Sequence, residues 1–194
     1  MSNNRLGIGF IGGGFITRFH IQSLIGVRDC DVVGVMSRTQ KSAEESSELA
    51  RSSGVGDANT YNSITDMVAD PRIDALWVCS PNFARIETFE EIAEAIISGK
   101  GELTGVTCEK PLGRNVTEAK KVLELTQNVE LLDGYLENQI FAPSVTRGKE
   151  IIWARGAATT GRPYLARAAE EHSGPHMPWF WEGELQGGGV LNDM

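Results

Sequence analysis

The chain has 194 residues, enough for one full domain and part of another. A hydrophobic fraction of 41% and a charged fraction of 23% are those of an ordinary globular protein. The formal net charge of −8, with no Lys/Arg cluster, argues against a nucleic-acid surface. No apolar run approaches the length of a membrane helix, and the N-terminus lacks a signal pattern.

Residues 6–11 read as a short buried strand that breaks into Gly12, Gly13 and Gly14. A helix follows at once, with Phe15, Phe19, Leu24 and Ile25 near 3.6-residue spacing as its expected core face. Residues 31–36 form a second strand ending in Ser37-Arg38-Thr39, followed by a helix over 42–52. A short strand is expected at 58–61 and a small helix at 63–68, capped by Ser63 with Asp66 three residues on. Residues 73–79 are the next strand, ending in Ser80-Pro81-Asn82. Ile86, Phe89, Ala93, Ile96 and Ile97 then mark one face of a long helix that stops at Gly99. Residues 103–108 form a strand ending in Glu109-Lys110-Pro111, followed by a helix over 117–127 and a strand over 129–132. This alternation predicts βαβ units and a Rossmann-type, doubly wound parallel sheet over 1–136. Ligands of such sheets sit beyond the carboxyl ends of the strands, so the strand-end tripeptides are the functional candidates.

Past Gly134 the pattern changes. A helix is expected over 143–155 and a strand over 163–169. A loop dense in aromatics and histidines follows at 172–181, then Gly187-Gly188-Gly189 before Asp193. Cys30, Cys79 and Cys108 are an odd set without C-x-x-C spacing. They suggest reduced, buried thiols in a cytoplasm, not a disulfide framework or a zinc site.

The motif Gly12-x-Gly14-x-x-Thr17 opens the first helix after an N-terminal strand. Backbone N–H groups left unpaired there, with the positive end of the helix dipole, suit a phosphate. Glycine leaves room for the turn and for the approach of a diphosphate. Thr17 replaces the usual third glycine, which predicts slightly looser packing of helix on strand. The expected diphosphate contacts are Gly12, Gly14, Phe15 and Ile16. At the second strand end, Ser37 and Arg38 stand where an acid would bind the ribose hydroxyls of NAD. Ser-Arg suits a 2′-phosphate through a charge-assisted hydrogen bond, which predicts NADP over NAD. In the competing reading, Arg38 stacks on adenine or faces water.

The order Gly12-x-Gly14, Ser80-Pro81-Asn82, Glu109-Lys110-Pro111 and Gly188-Gly189-x-Leu191-x-Asp193 resembles the Gfo/Idh/MocA family of nicotinamide-dependent oxidoreductases. The resemblance implies an N-terminal Rossmann domain and, from 137 to 194, the incomplete start of an α/β substrate domain with a mostly antiparallel sheet. It implies hydride transfer between a carbinol of a sugar, cyclitol or related polyol and NADP or NAD. It also implies a cytoplasmic homo-oligomer formed through the second domain's sheet. Lys110 matches the family's lysine on the reacting hydroxyl, and Asp193 its aspartate. The family's histidine four residues further on would lie beyond Met194. Arg85 stands where the family often has a histidine, and Ile140 where an arginine often precedes Phe-x-Pro. The resemblance therefore implies a fragment of a longer protein, inactive alone and prone to associate through an open edge at 163–169.

Oxidising a carbinol needs a group that takes the hydroxyl proton. Lys110 suits that task where its surroundings favour the neutral amine, and a cis bond to Pro111 would aim it. Ser80, Pro81, Asn82, Arg85 and Glu109 are expected to line the cofactor cleft with Lys110. Asn82 also reads as a cap for a helix starting at Phe83, and Glu109 as a group that only orients its own loop. Asn138, His172, His176 and Trp179 are the candidate sugar contacts, although an aromatic packing cluster explains the 172–181 loop equally well. His172 and His176 are four apart, but Gly174 and Pro175 between them argue against a helix, so no metal site is predicted. Two other functions share these motifs: a glycoside hydrolase using NAD transiently, and a non-catalytic dinucleotide sensor.

Overall fold

The computed structural model describes residues 5–169, 171, 173–174 and 177–193. β1 (Leu6–Ile11) leads into α1 (Phe15–Ser23), β2 (Cys30–Met36), α2 (Gln40–Ser52), β3 (Asn59–Tyr61) and α3 (Ile64–Val68). β4 (Ala75–Val78), α4 (Arg85–Ile97), β5 (Gly105–Glu109), α5 (Val116–Asn128) and β6 (Leu132–Leu136) follow. All five strand pairs are parallel, in the order β3-β2-β1-β4-β5-β6. This is the doubly wound dinucleotide-binding order, with the crevice between β1 and β4 where the winding reverses.

The strands are apolar on both sides because helices cover both faces. On one face Ile8, Phe10, Val32 and Val35 pack against Ile21, Leu24, Ala43 and Ala50 of the α1–α2 side. On the other, Ile11, Leu76, Val78 and Val106 pack against Met67, Phe89, Ile92 and Val122 of α3, α4 and α5. Burying one such side chain stabilises by about 1.5–3 kcal/mol, which makes these two layers the main support of the strand tips.

Two local expectations are corrected. The core face of α1 is not the one carrying Phe15, Phe19 and Ile25. Phe15 is 77% and Ile25 62% exposed, and Phe15 and Phe19 stack on each other at the surface. Thr17 and Ile21 face inward instead, and of the expected set Leu24, in the 3-10 turn after α1, is buried as expected. The Thr17 hydroxyl donates to the Gly12 carbonyl at 2.7 Å, which sets the helix rotation and fills the missing glycine's place. The last strand is 132–136 and not 129–132. Glu130 has φ of 55° and Leu131 N donates to Thr126 O, so these residues close α5 before pairing with β5 begins.

Beyond β6 the expected sheet is not seen. α6 (Pro143–Glu150), a π-helical stretch over Ile151–Gly156 and α7 (Ala157–Thr160) form one helical run. Residues 162–169 are irregular and exposed, and no described residue after 136 lies in a strand. Alternating side chains do not form a strand without a neighbouring backbone to bond. The open edges are therefore those of β3 and β6, and no edge exists at 163–169. α8 (Gly183–Gln186) and α9 (Val190–Asp193) complete the chain.

Cys30, Cys79 and Cys108 are free thiols. Burial pushes the Cys79 and Cys108 thiols up, so neither is a thiolate nucleophile near neutral pH. No helix among the described residues is long and apolar enough to cross a membrane.

Tyr61 ties β3 to the loop before β4. Its ring occupies the space a Cβ on Gly34 would need, and its hydroxyl donates to Asp70 at 2.6 Å. Burial and the Asp70 carboxylate push Tyr61 up to about 12. The Arg72 guanidinium bound to Asp70, helped by the Tyr61 hydroxyl, holds that carboxyl below the usual carboxylate range. A depressed native pKa gives stability that is present above about pH 4 and lost as pH falls through the native value. Urea unfolding should therefore show a constant stability gap between the wild type and Asp70→Asn near neutral pH. The gap should narrow below about pH 4.

Candidate functional site

The turn after β1 is threaded through a narrow gap. Gly12 has φ of 109°, and a Cβ there would lie 2.8 Å from the Cys79 carbonyl oxygen. A Cβ on Gly13 would lie 2.5 Å from the Ser42 carbonyl oxygen. At Gly14 the same construction meets nothing within 4 Å. The turn is thus pressed between the β4 tip and α2 on one side and open on the other. The helices α2, α3 and α5 are capped by the side chains of Thr39, Ser63 and Asn115, whereas α1 has no side-chain cap. An uncapped helix start beside open space fits a dinucleotide's diphosphate, with Phe15 and Ile16 supplying the first helical N–H groups.

At the β2 tip, Ser37 is half-buried and Arg38 exposed, while Thr39 is committed to capping α2. No carboxylate lies among residues 37–42.

The β4 and β5 tips are fastened to each other by Arg85, which is 3% exposed. Its guanidinium donates to the carbonyls of Ser80 (3.3 Å), Lys110 (3.1 Å) and Glu109. Ser80 is buried, its hydroxyl 3.4 Å from that of Thr88, and Pro81 is half-buried. Asn82 does not cap a helix starting at Phe83. It is the first residue of a 3-10 turn, and its buried Nδ2 donates to the Gln186 carbonyl at 2.8 Å. That partner is 104 residues away, so no local pattern could have pointed to it.

The peptide between Lys110 and Pro111 is cis. The Glu109 carboxylate is buried, with one oxygen accepting from the Lys110 backbone N–H at 3.0 Å. Its other oxygen lies 2.6 Å from His20 Nε2. His20 reaches that position from α1 across Trp77, edge-on at 5.1 Å, and the Phe10 ring. Sequence reasoning missed His20, because nothing in its spacing shows that α1 lies beside the β5 tip.

The Lys110 side chain, partly exposed, donates from Nζ to the Asp193 carbonyl and to Asp193 Oδ1 at 3.1 Å. The two catalytic candidates therefore meet at the carboxyl edge of the sheet. Asp193 is delivered by a docked segment. Trp179 stands edge-on to Phe83 at 5.8 Å and stacks on Phe180 at 4.0 Å. Arg114 pairs with Glu118 and donates to the Glu184 carbonyl. Asn138 is exposed at the start of a 3-10 turn. His172 and His176 lie outside the described residues.

The sequence matches the Gfo/Idh/MocA family, described as "Oxidoreductase family, NAD-binding Rossmann fold", over residues 6–132. The chain belongs to this family. It is 29% identical over 188 residues to 1,5-anhydro-D-fructose reductase of Ensifer adhaerens, a match covering 96% of this chain and 52% of that protein. It is 25% identical over 168 residues to myo-inositol 2-dehydrogenase of Thermotoga maritima, covering 87% and 46%. The crystal structure of GenD2 from gentamicin A biosynthesis, in complex with NAD, has the same fold. Its TM-score is 0.74 at 23% identity, over 97% of this chain and 50% of that one. The chain spans about half the length of each of these proteins.

Arg85 is the fastener of this site, and its removal should register as lost stability. Arg85→Met leaves three strand-tip carbonyls without their donor and should cost about 3 kcal/mol in chemical denaturation. An unchanged transition midpoint would show the three bonds to be dispensable.

Proposed function

We propose that the chain is the cofactor-binding part of an oxidoreductase that moves a hydride between a carbinol of a sugar, cyclitol or related polyol and a nicotinamide dinucleotide. Residues 1–136 hold the dinucleotide and 137–194 begin the substrate side. The observation that carries this reading is the Lys110–Asp193 pair. It lies at the carboxyl edge of the same sheet whose first turn is shaped for a diphosphate. Relatives named for an anhydro-ketose and a cyclitol support the polyol class.

Gly12, Gly14, Phe15 and Ile16 would hold the diphosphate, and Ser80, Pro81 and Asn82 would line the cleft. The nicotinamide, when bound, accepts or supplies the hydride. Lys110 would exchange the carbinol proton at Nζ. Asp193 holds that amine in place through the bond from Nζ to Oδ1. The bond from the Lys110 N–H to the Glu109 carboxylate fixes the backbone where the lysine leaves the strand. Trp179 stacks on Phe180 and meets Phe83 edge-on, so only the ring face away from Phe180 would serve the C–H side of a sugar.

Ser37 and Arg38, with no neighbouring carboxylate, favour NADP. Isothermal titration should show tighter binding of NADP than of NAD. Arg38→Ala should lower NADP affinity about tenfold and leave NAD unchanged, since one charge-assisted hydrogen bond contributes about 1.4 kcal/mol or more. A clear NAD preference would overturn the assignment. In a complete enzyme, Lys110→Ala should lower polyol turnover at least ~10²-fold. Near-normal turnover would remove Lys110 from the mechanism.

A further inference from the structure

We propose that Gln186 is a positioning residue for Lys110: its carboxamide locks the Gly187–Gly189 turn and so holds Asp193 against the lysine amine. The inference rests on the reading of Lys110 and Asp193 as the proton-transfer pair.

Gln186 is 1% exposed, unusual for a side chain that must satisfy both a donor and an acceptor. Its Oε1 accepts from the N–H groups of Gly188 (2.9 Å) and Gly189 (2.5 Å). Its Nε2 donates to the Gly189 carbonyl at 3.1 Å. That carbonyl also accepts from the N–H groups of Asn192 and Asp193, so α9 starts from the atom the carboxamide fixes. The backbone carbonyl of Gln186 accepts from Asn82 Nδ2 at 2.8 Å and from Asn192 Nδ2 at 2.9 Å. One residue therefore joins the β4 tip, the glycine turn and the helix bearing Asp193.

Three glycines in a row have no preferred path, because glycine gives up more backbone freedom on ordering than any other residue. Two of them have positive φ, 108° at Gly187 and 59° at Gly189. A Cβ on Gly187 would lie 2.4 Å from the Arg114 carbonyl oxygen, so the turn must run close to that backbone. The carboxamide selects one path by three hydrogen bonds. A side chain that merely filled volume would need none of them.

The test uses the 194-residue chain. Gln186→Leu keeps the size and removes all three side-chain bonds. Gln186→Glu keeps an acceptor for Gly188 and Gly189 but sets a carboxylate oxygen, in place of the donor, against the Gly189 carbonyl. Amide hydrogen exchange of residues 188–193 and acetylation of Lys110 by acetic anhydride, followed by mass spectrometry, are the readouts. Gln186→Leu should raise both by about tenfold, matching Asp193→Asn in Lys110 acetylation, and Gln186→Glu, with its oxygen opposed to the Gly189 carbonyl, should raise both as well. Should the leucine variant fail to fold, Gln186→Asn, whose arm is one carbon shorter, carries the same expectation. Unchanged Lys110 acetylation in Gln186→Leu would overturn the proposal, as would a glutamate variant protected as well as the wild type. Dinucleotide titration of the wild type runs alongside. Absent binding would sink the oxidoreductase reading, whereas normal binding with unmoved Lys110 reactivity would sink only the role of Gln186.

Discussion

A single buried guanidinium sets the geometry at the carboxyl end of this sheet. Arg85 takes its place in the first turn of α4, yet its three acceptors are the carbonyls of Ser80, Glu109 and Lys110, on two different strand tips. Parallel strands diverge where their ladder ends, and their last carbonyls then need other donors. Here one planar fork supplies them together. The position of Lys110 relative to the β4 tip, and so to the crevice beside β1, follows from that fork.

Around it the polar groups form a connected set. Glu109 bridges His20 of α1 to the Lys110 backbone, Asn82 reaches Gln186, and Lys110 reaches Asp193. Among the described residues every buried side-chain nitrogen or oxygen has a hydrogen-bond partner. A fully satisfied network of this kind specifies one arrangement, because each alternative strands a polar group away from water. The apolar layers beneath supply the bulk of the stability, and the polar set decides where the tips point.

The sheet was legible in the sequence because its evidence is local: apolar runs of strand length, glycine at one strand end, capping residues such as Ser63. The Gly12–Gly14 turn and the Glu109-Lys110-Pro111 tip were legible for the same reason. What escaped is long-range. His20 meets Glu109 across 89 residues and Asn82 meets Gln186 across 104, and neither pairing leaves a periodic trace. The α1 face was misassigned because both sides carry apolar residues. The decision fell to one hydroxyl, that of Thr17, hidden among them. At 163–169, alternation promised a strand, but alternation describes side chains and a strand needs a partner's backbone.

Between β6 and residue 169 the chain runs mostly at the surface: Phe141, Trp153 and Tyr164 are all more than half exposed along it. Such rings leave water only against another apolar surface, at a gain of about 25 cal/mol for each Å² covered. The apolar layers on the two faces of the sheet are already covered and have little left to gain that way. Whatever packs on this stretch therefore adds stability there, outside the sheet whose edge carries the amine and the carboxylate.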